Sequence, residues 1–163
     1  MTPGDYHIMI GQWAGDWTGT GTLWRMADTA AVFSKVKAIN KMEMGGRYLI
    51  SNQTGTIQDS AFDGMSILGY DNAKKLFVST WIDNFGTGVA KLEGTWNEKK
   101  NQLELKGKMV DPSLGKEVNA KENIRVIDNN NQFMELFEYP DGKEFKIMEV
   151  KFTRSQPSRQ SNS

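Results

Sequence analysis

The stretch GDWTGTGTLW, residues 15–24, decides the fold because its glycines fit either a nucleotide-binding loop or a barrel strand. The dinucleotide fingerprint G-x-G-x-x-G joins a strand to a helix. Here Trp24 stands where the third glycine belongs, and neither a helical pattern nor a Walker lysine follows. In a strand, alternate residues share a face, so one face would carry Trp17, Gly19, Gly21 and Leu23. Since glycine inside a strand marks a tight bend or a close backbone approach, the stretch predicts the first strand of a barrel.

The composition excludes several classes of function. The chain has 163 residues, enough for one domain. Its 20 basic and 20 acidic residues give a net charge of zero, so we expect no nucleic-acid partner, which would require a positive field. The absence of cysteine excludes disulfides, thiol catalysis and zinc–thiolate sites. No apolar run approaches the roughly 20 residues of a membrane helix, so no membrane partner is expected.

The two ends of the chain differ from its middle. At the N-terminus, Tyr6, Met9, Ile10 and Trp13 have helical spacing and predict a short helix. No basic segment followed by a long apolar run is present there, so we expect no signal peptide and a cytoplasmic protein. Residues 155–163 are small and polar and predict a disordered tail. Residues 1–154 are expected to form a single domain.

The middle of the chain consists of short segments rich in β-branched and aromatic residues, separated by turn signals. Alternation is clear in KLFVSTWID and in FKIMEVKFTR. These segments predict about ten antiparallel strands joined by hairpins. An open sheet of that size leaves two long edges, and closure removes both. We therefore predict an all-β fold, an antiparallel up-and-down barrel with the short helix over one end. A two-sheet sandwich is the alternative.

The start of the first strand resembles the signature of the lipocalin and calycin superfamily. Gly15-Asp16-Trp17 forms G-x-W directly after a short helical segment. In that superfamily the tryptophan closes the base of the barrel and stacks against an arginine near the end of the last strand. Arg154 stands at the corresponding place here. The resemblance thus implies that Trp17 and Arg154 close the barrel through a cation–π contact.

Further blocks resemble one bacterial family, domain of unknown function 1579, over residues 8–154. They are MGGRYL, ILGYDNAKKLFVSTWIDNFGTG, LEGTW and GKEFKIMEVKFTR. The resemblance implies a lipocalin-like barrel and no established activity. The related nitrobindins bind haem through a histidine in the C-terminal part of the barrel, whereas this chain has no histidine after His7. We expect no haem and no other cofactor.

The sequence offers no catalytic motif and no metal-binding motif. His7, the only histidine, is interpreted as a surface or capping residue. No G-x-S-x-G elbow and no D-x-D-x-D-G loop is present. We therefore assign no catalytic residue and no metal ligand.

The carboxylates are the remaining candidates for a chemical role inside the barrel. Glu135 and Glu138 lie on opposite faces of their strand, Asp83 shares the face of Trp81, and Glu149 points away from the Met148 face. A carboxylate inside the barrel would have a raised pKa unless it were paired, and Arg47 and Arg125 are candidate partners. The alternatives are a solvated outer face or an internal ion pair. Periodicity does not say which face is the inner one.

The leading functional hypothesis is a barrel that binds a small hydrophobic or amphipathic ligand in its cavity. Trp81 and Asp83 are candidate cavity residues because they lie in the most family-specific block. Arg47 and Tyr48 are adjacent, so one of them is expected to face inward. Met148 is expected to form part of the apolar wall of the cavity. The second hypothesis is an isomerase-type or cyclase-type enzyme that uses an inward carboxylate. The third is a filled barrel that acts as an interaction module, with a homodimer as the expected assembly.

Overall fold

The structure is a computed structural model that describes residues 1–24, 30–57, 59–111 and 114–155, without the side chains of residues 30–34. The predicted disordered tail lies outside the described residues, apart from Ser155. The elements are α1 (Asp5–Gly11), β1 (Gly15–Trp24), β2 (Ala30–Glu43), β3 (Tyr48–Ile57), β4 (Ser60–Asp71), β5 (Leu76–Asp83), β6 (Ala90–Asn97), β7 (Gln102–Asp111), β8 (Lys116–Asp128), β9 (Asn131–Glu138) and β10 (Phe145–Arg154). Single 3-10 turns lie at Glu98–Lys100 and Pro140–Gly142.

The ten strands form a closed antiparallel barrel in which each strand pairs with its neighbours along the chain. The barrel closes where β1 pairs with β10, with Trp17 opposite Arg154 and Leu23 opposite Met148. The prediction of an all-β up-and-down barrel with a short N-terminal helix is confirmed, and the sandwich alternative is wrong. In the described ranges, no helix has the length and apolar character needed to cross a membrane.

Glycines of the strands lie where neighbouring backbones come very close together. A Cβ atom on Gly21 would collide with the carbonyl oxygen of Glu149 in β10, and one on Gly94 would collide with the carbonyl oxygen of Glu104 in β7. The pairing of β1 with β2 also shifts register between Gly19 and Gly21. The glycines of the opening stretch therefore allow a close, bent approach of strands, as predicted for the first strand of a barrel.

The helix α1 closes one end of the barrel. Ile10 and the following Trp13 pack on inward side chains of five strands, which are Leu49, Leu68, Phe77, Leu92, Leu103 and Leu105. His7 is only 6% exposed, and its Nδ1 accepts a hydrogen bond of 3.0 Å from the backbone N–H of Gly4. The capping role expected for His7 is present, but its expected surface position is wrong because the ring packs edge-on against Tyr70.

At the same end, Arg154 joins the last strand to the helix and to β1. Its guanidinium lies 4.3 Å from the ring centroid of Trp17, which is 1% exposed. It also donates to the carbonyl oxygens of Ala14 (2.5 Å), Gln12 (2.8 Å) and Asn129 (3.0 Å). The contact implied by the superfamily resemblance is therefore present, and hydrogen bonds to three backbone carbonyls accompany it.

Candidate functional site

The interior of the barrel divides into two parts. The capped half is the part packed against α1, where Phe77, Leu103 and Leu105 have no exposed surface. The open half is the part toward the other end, built on Val36, Ile57, Phe62 and Val150. The side chains packed on that second group are inward-facing yet only half-buried, and they are Leu23, Trp81, Met134, Met148 and Phe152. Because inward side chains remain accessible to solvent there, the open half is the candidate site.

A row of three aromatic rings lies in the open half, at the ends of β4 and β5. Phe62 stacks on Trp81 with ring centroids 6.1 Å apart and on Phe85 at 6.0 Å, with interplanar angles of 18° and 15°. A Cβ atom on Gly64 would collide with the indole of Trp81. The glycine thus gives the indole its place against the wall, and the row presents flat apolar surface.

Asp83 holds this aromatic row in place. Its Oδ2 accepts a hydrogen bond of 2.7 Å from Trp81 Nε1. Its Oδ1 accepts from the backbone N–H groups of Phe85 (2.9 Å) and Gly86 (3.1 Å). Asp83 faces inward as expected, but protein donors already use both of its oxygens. Its role in the structure is to orient Trp81 and the turn after β5.

Glu122 is the unpaired carboxylate of the interior. It lies on β8 at the border of the two halves. Ala120, Ile124 and its cross-strand neighbour Leu105 belong to the capped half, whereas its other cross-strand neighbour, Leu136, lies opposite Met148 of the open half. The side chain is half-buried, and in the described part of the chain it makes no hydrogen bond or ion pair. Burial raises the pKa of Glu122 from 4.5 to about 7. Glu122 therefore titrates near neutral pH in largely apolar surroundings.

Sequence reasoning missed Glu122, although a signal for it was present. Ala120, Ile124 and Val126 have the same parity in β8, so Glu122 interrupts an otherwise apolar face. A single carboxylate within the apolar face of a strand is costly unless it has a partner or a function. That criterion would have selected Glu122 from the sequence.

A second acidic group lies at the rim of the open half, where β7 and β9 end. Glu138 is 5% exposed and hydrogen-bonds to Asp111. The Oδ1 of Asp111 accepts a hydrogen bond of 3.2 Å from the backbone N–H of Leu114. Burial, followed by the negative charge and the hydrogen bond of Asp111, raises the pKa of Glu138 to about 7. Glu135 lies on the opposite face, as expected, and bonds to Lys146 at 2.6 Å.

Of the predicted ligand-binding residues, Trp81, Asp83 and Met148 face the interior. The expectation that Arg47 or Tyr48 faces inward is wrong. Both residues are exposed, and Arg47 donates to the carbonyl oxygens of Met1, Met44 and Gly45. The cause is the turn after β2, where three residues with positive φ, Met44, Gly45 and Gly46, precede β3 and make Leu49 its first inward residue.

Arg47 and Tyr48 instead line a groove of about 510 Å³ on the outer surface beside the N-terminal residues. Tyr48, 43% exposed, continues into an apolar patch on the outer face of β4 and β5 with Met65, Ile67 and Ile82. A filled-barrel interaction module requires such a patch. The homodimer stays a prediction.

The interior of the open half contains no described lysine or arginine. Arg125, a candidate partner for an inward carboxylate, is exposed with its guanidinium 5.5 Å from the ring centroid of Phe133, so that expectation is wrong. Lys116 has inward parity opposite Asp111, but it lies at the rim and is exposed. Glu149 contacts Lys146 at 3.1 Å. Among the described residues, no three His, Cys, Asp or Glu side chains are grouped as in a metal site.

These features define a class of protein, a lipocalin-like barrel that is capped at one end and has a partly open interior at the other. The chain belongs to the family described as protein of unknown function DUF1579, whose model matches residues 2–154. The fold is similar to the crystal structure of Rv2717c from M. tuberculosis, with a TM-score of 0.71 over 95% of this chain and 100% of that chain. At 12% sequence identity this likeness shows the fold alone. No curated protein sequence matches the chain significantly.

Proposed function

We propose that the protein binds a small, partly hydrophobic molecule in the open half of its barrel. The observation that carries the proposal is Glu122, an inward carboxylate that has no partner among the described residues and borders the half-buried apolar wall through Leu136 and Met148. Burying such a group without a partner lowers the stability of a protein. Ligand sites combine an apolar wall with a few polar groups that orient the ligand, and the open half has that composition.

The aromatic row supports the same proposal. Trp81 is held by Asp83 through a hydrogen bond of 2.7 Å, and Phe62 stacks on it. A side chain that is already fixed loses little conformational entropy when a ligand binds against it. The row therefore offers a preformed apolar surface beside the other wall residues.

Binding of the neutral apolar dye N-phenyl-1-naphthylamine tests the proposal, because its fluorescence rises when it leaves water. We expect one saturable site on the wild-type protein. Met134→Trp fills space in the open half and is expected to abolish binding. Thr20→Trp is the matched control, because Thr20 is exposed on the outer face of the barrel, and it is expected to bind the dye as the wild type does.

Two results would overturn the proposal. One is a folded wild-type protein that does not bind the dye. The other is equal binding by Met134→Trp and the wild type, which would place the dye outside the barrel. Circular dichroism of each variant establishes that it is folded before the comparison is made.

An enzyme that uses Glu122 as a general acid or base is the second candidate, favoured by the raised pKa of this unpaired group. Acid–base catalysis is most efficient when the pKa of the group lies near the working pH. The probe is 5-nitrobenzisoxazole, from which a base removes the ring proton while the N–O bond breaks and a coloured phenolate forms. We expect a rate that rises with pH through about 7 in the wild type and is lost in Glu122→Gln. Equal rates in the two proteins would eliminate this candidate.

A further inference from the structure

We propose that the ligand of the open half carries a cationic group, such as a protonated amine, on an apolar body. This inference rests on the proposed binding function and names the chemical class of its ligand. It follows from an imbalance of charge: Glu122 borders the open half without a partner among the described residues, and no described lysine or arginine lies in the interior there.

Glu122 is the group that needs a partner. Its neighbours on both adjacent strands, Leu105 and Leu136, are apolar and offer no hydrogen-bond donor. The other inward acidic groups differ in this respect, since Glu138 is bonded to Asp111 and Asp83 is bonded to Trp81 and two backbone N–H groups. An ammonium group supplies donors and a charge of opposite sign at a place where the described residues supply neither.

The same arrangement disfavours an anionic ligand. Two like charges in surroundings of low dielectric constant repel each other strongly. A fatty-acid carboxylate in the open half would meet Glu122 and the Asp111–Glu138 pair, and the described cation nearest by register, Lys116, lies at the exposed rim. Binding an anion would therefore require protonation of a carboxyl group.

The aromatic row adds a second attraction for a cation. An ammonium group over an aromatic face is stabilised by the quadrupole of the ring, most strongly for tryptophan. Trp81, half-buried in the wall of the open half, is the ring that offers such a face, since Phe62 is buried and stacks on both Trp81 and Phe85. The apolar body of the ligand would cover Met134 and Met148, whose flexible side chains adapt to varied shapes.

Three competitors share a ten-carbon chain and differ only in their headgroup, so they measure the contribution of the headgroup to binding. Decylamine, decanol and decanoate are titrated against bound N-phenyl-1-naphthylamine at pH 8 and at concentrations below micelle formation. We expect decylamine to displace the dye at about tenfold lower concentration than decanol, a typical gain for one charge-assisted contact. Decanoate is expected to be the weakest of the three.

Two variants assign the preference to Glu122. Glu122→Gln keeps the shape and removes the charge, so the preference for decylamine over decanol is expected to fall to about twofold or less. Glu98→Gln, at an exposed site outside the barrel, is expected to keep the full preference. If Glu122→Gln were unfolded, the competitor series on the wild-type protein would still decide the sign of the headgroup preference.

The outcomes separate this inference from the proposed function. If the dye binds but decanol or decanoate competes as well as decylamine, the cationic ligand is wrong and the binding barrel stands. A preference for decylamine that persists in a folded Glu122→Gln also overturns the inference. If the dye does not bind at all, the proposed function itself fails.

Discussion

The two halves of the barrel are built from the same ten strands, yet their inward side chains differ in packing and exposure. In the capped half, Ile10 and Trp13 enter from the helix and meet inward side chains such as Phe77 that have no exposed surface. Among the described residues no helix enters the open half, and inward residues such as Met134 and Met148 stay half-buried. A ten-stranded barrel is wider than its own side chains readily fill, so the capped half depends on α1 for its close packing.

The difference also separates stability from binding. The capped half excludes water and loses stability when any atom is removed. Glu122, at the border of the open half, has no partner among the described residues, and its charged form reduces stability. Substitutions of similar size in the two halves are therefore expected to differ in both magnitude and kind.

Truncation of one side chain in each half tests this difference most directly. Leu105→Ala removes a side chain with no exposed surface and is expected to lower the free energy of unfolding by about 2–5 kcal/mol. Met148→Ala removes a side chain that is already half-exposed, and about 1 kcal/mol is expected. Urea denaturation of both variants measures the two losses, and equal losses would show that the halves are packed alike.

Arg154 joins the chain ends at the base of the capped half, so its removal is expected to have the next largest effect. Arg154→Ala leaves the carbonyl oxygens of Gln12, Ala14 and Asn129 without their donor, and we expect a loss of about 3 kcal/mol. Lys151→Ala, on the exposed outer face of the same strand, is the control and is expected to change stability by less than about 0.5 kcal/mol.

The same variant sharpens the comparison between the halves. Dye binding by folded Arg154→Ala is expected to match that of the wild type, because the substitution lies at the end opposite the open half. A variant that remained fully stable, or one that stayed folded but no longer bound the dye, would contradict the separation of the two halves.

Glu122→Gln is expected to stabilise the protein at alkaline pH. The raised pKa means that the folded chain binds the proton more tightly than the unfolded chain. The contribution of Glu122 is therefore complete below pH 4.5 and is lost as the pH rises through about 7. Since each pH unit corresponds to about 1.4 kcal/mol, the rise of the pKa from 4.5 to about 7 limits the advantage of the variant at pH 8 to at most about 3.5 kcal/mol.

Urea denaturation at pH 5 and pH 8 measures this effect. The difference between Glu122→Gln and the wild type is expected to be small at pH 5 and larger at pH 8. Glu43→Gln, at an exposed site, is expected to show no such dependence. A pH-independent difference for Glu122→Gln would mean that Glu122 is solvated in the folded state.

Asp83→Asn is expected to have the smallest effect, about 1 kcal/mol, because it removes one hydrogen bond to a charged group. The amide retains an acceptor for the backbone N–H of Phe85 but loses the acceptor for Trp81 Nε1. The indole is then free to reorient, which changes tryptophan fluorescence and weakens dye binding. Asp63→Asn, at an exposed site on β4, is the control. Identical spectra and affinities for the two variants would show that Asp83 does not position Trp81.

Much of the fold follows from the sequence because its signals are local. The alternation in β1 and β10 and the turn residues between strands indicate antiparallel hairpins, and the count of segments gives ten strands. The pair Trp17 and Arg154 was found through the resemblance to lipocalins, since the two residues are far apart in the chain and no local pattern joins them.

The candidate site was predicted less well, because facing inward depends on where each strand begins. Either Arg47 or Tyr48 was expected to face inward, but three residues of positive φ place Arg47 in the turn, and β3 begins at Tyr48 with Leu49 as its first inward residue. In β10, a register shift between Lys146 and Met148 likewise resets the alternation. Bulges and turns of this kind change the parity of a strand without changing its hydrophobic pattern.

The pairing of β1 with β10 determines when the barrel closes during synthesis on the ribosome. The strands emerge in chain order, and from β2 onward each new strand pairs with the one before it. One edge of β1 stays unpaired until β10, which includes Arg154, pairs with it. Until then the nascent sheet exposes two unpaired edges, the feature that promotes association between chains. Closure of the barrel therefore requires its last strand, and a chain that lacks β10 leaves β1 and β9 as free edges.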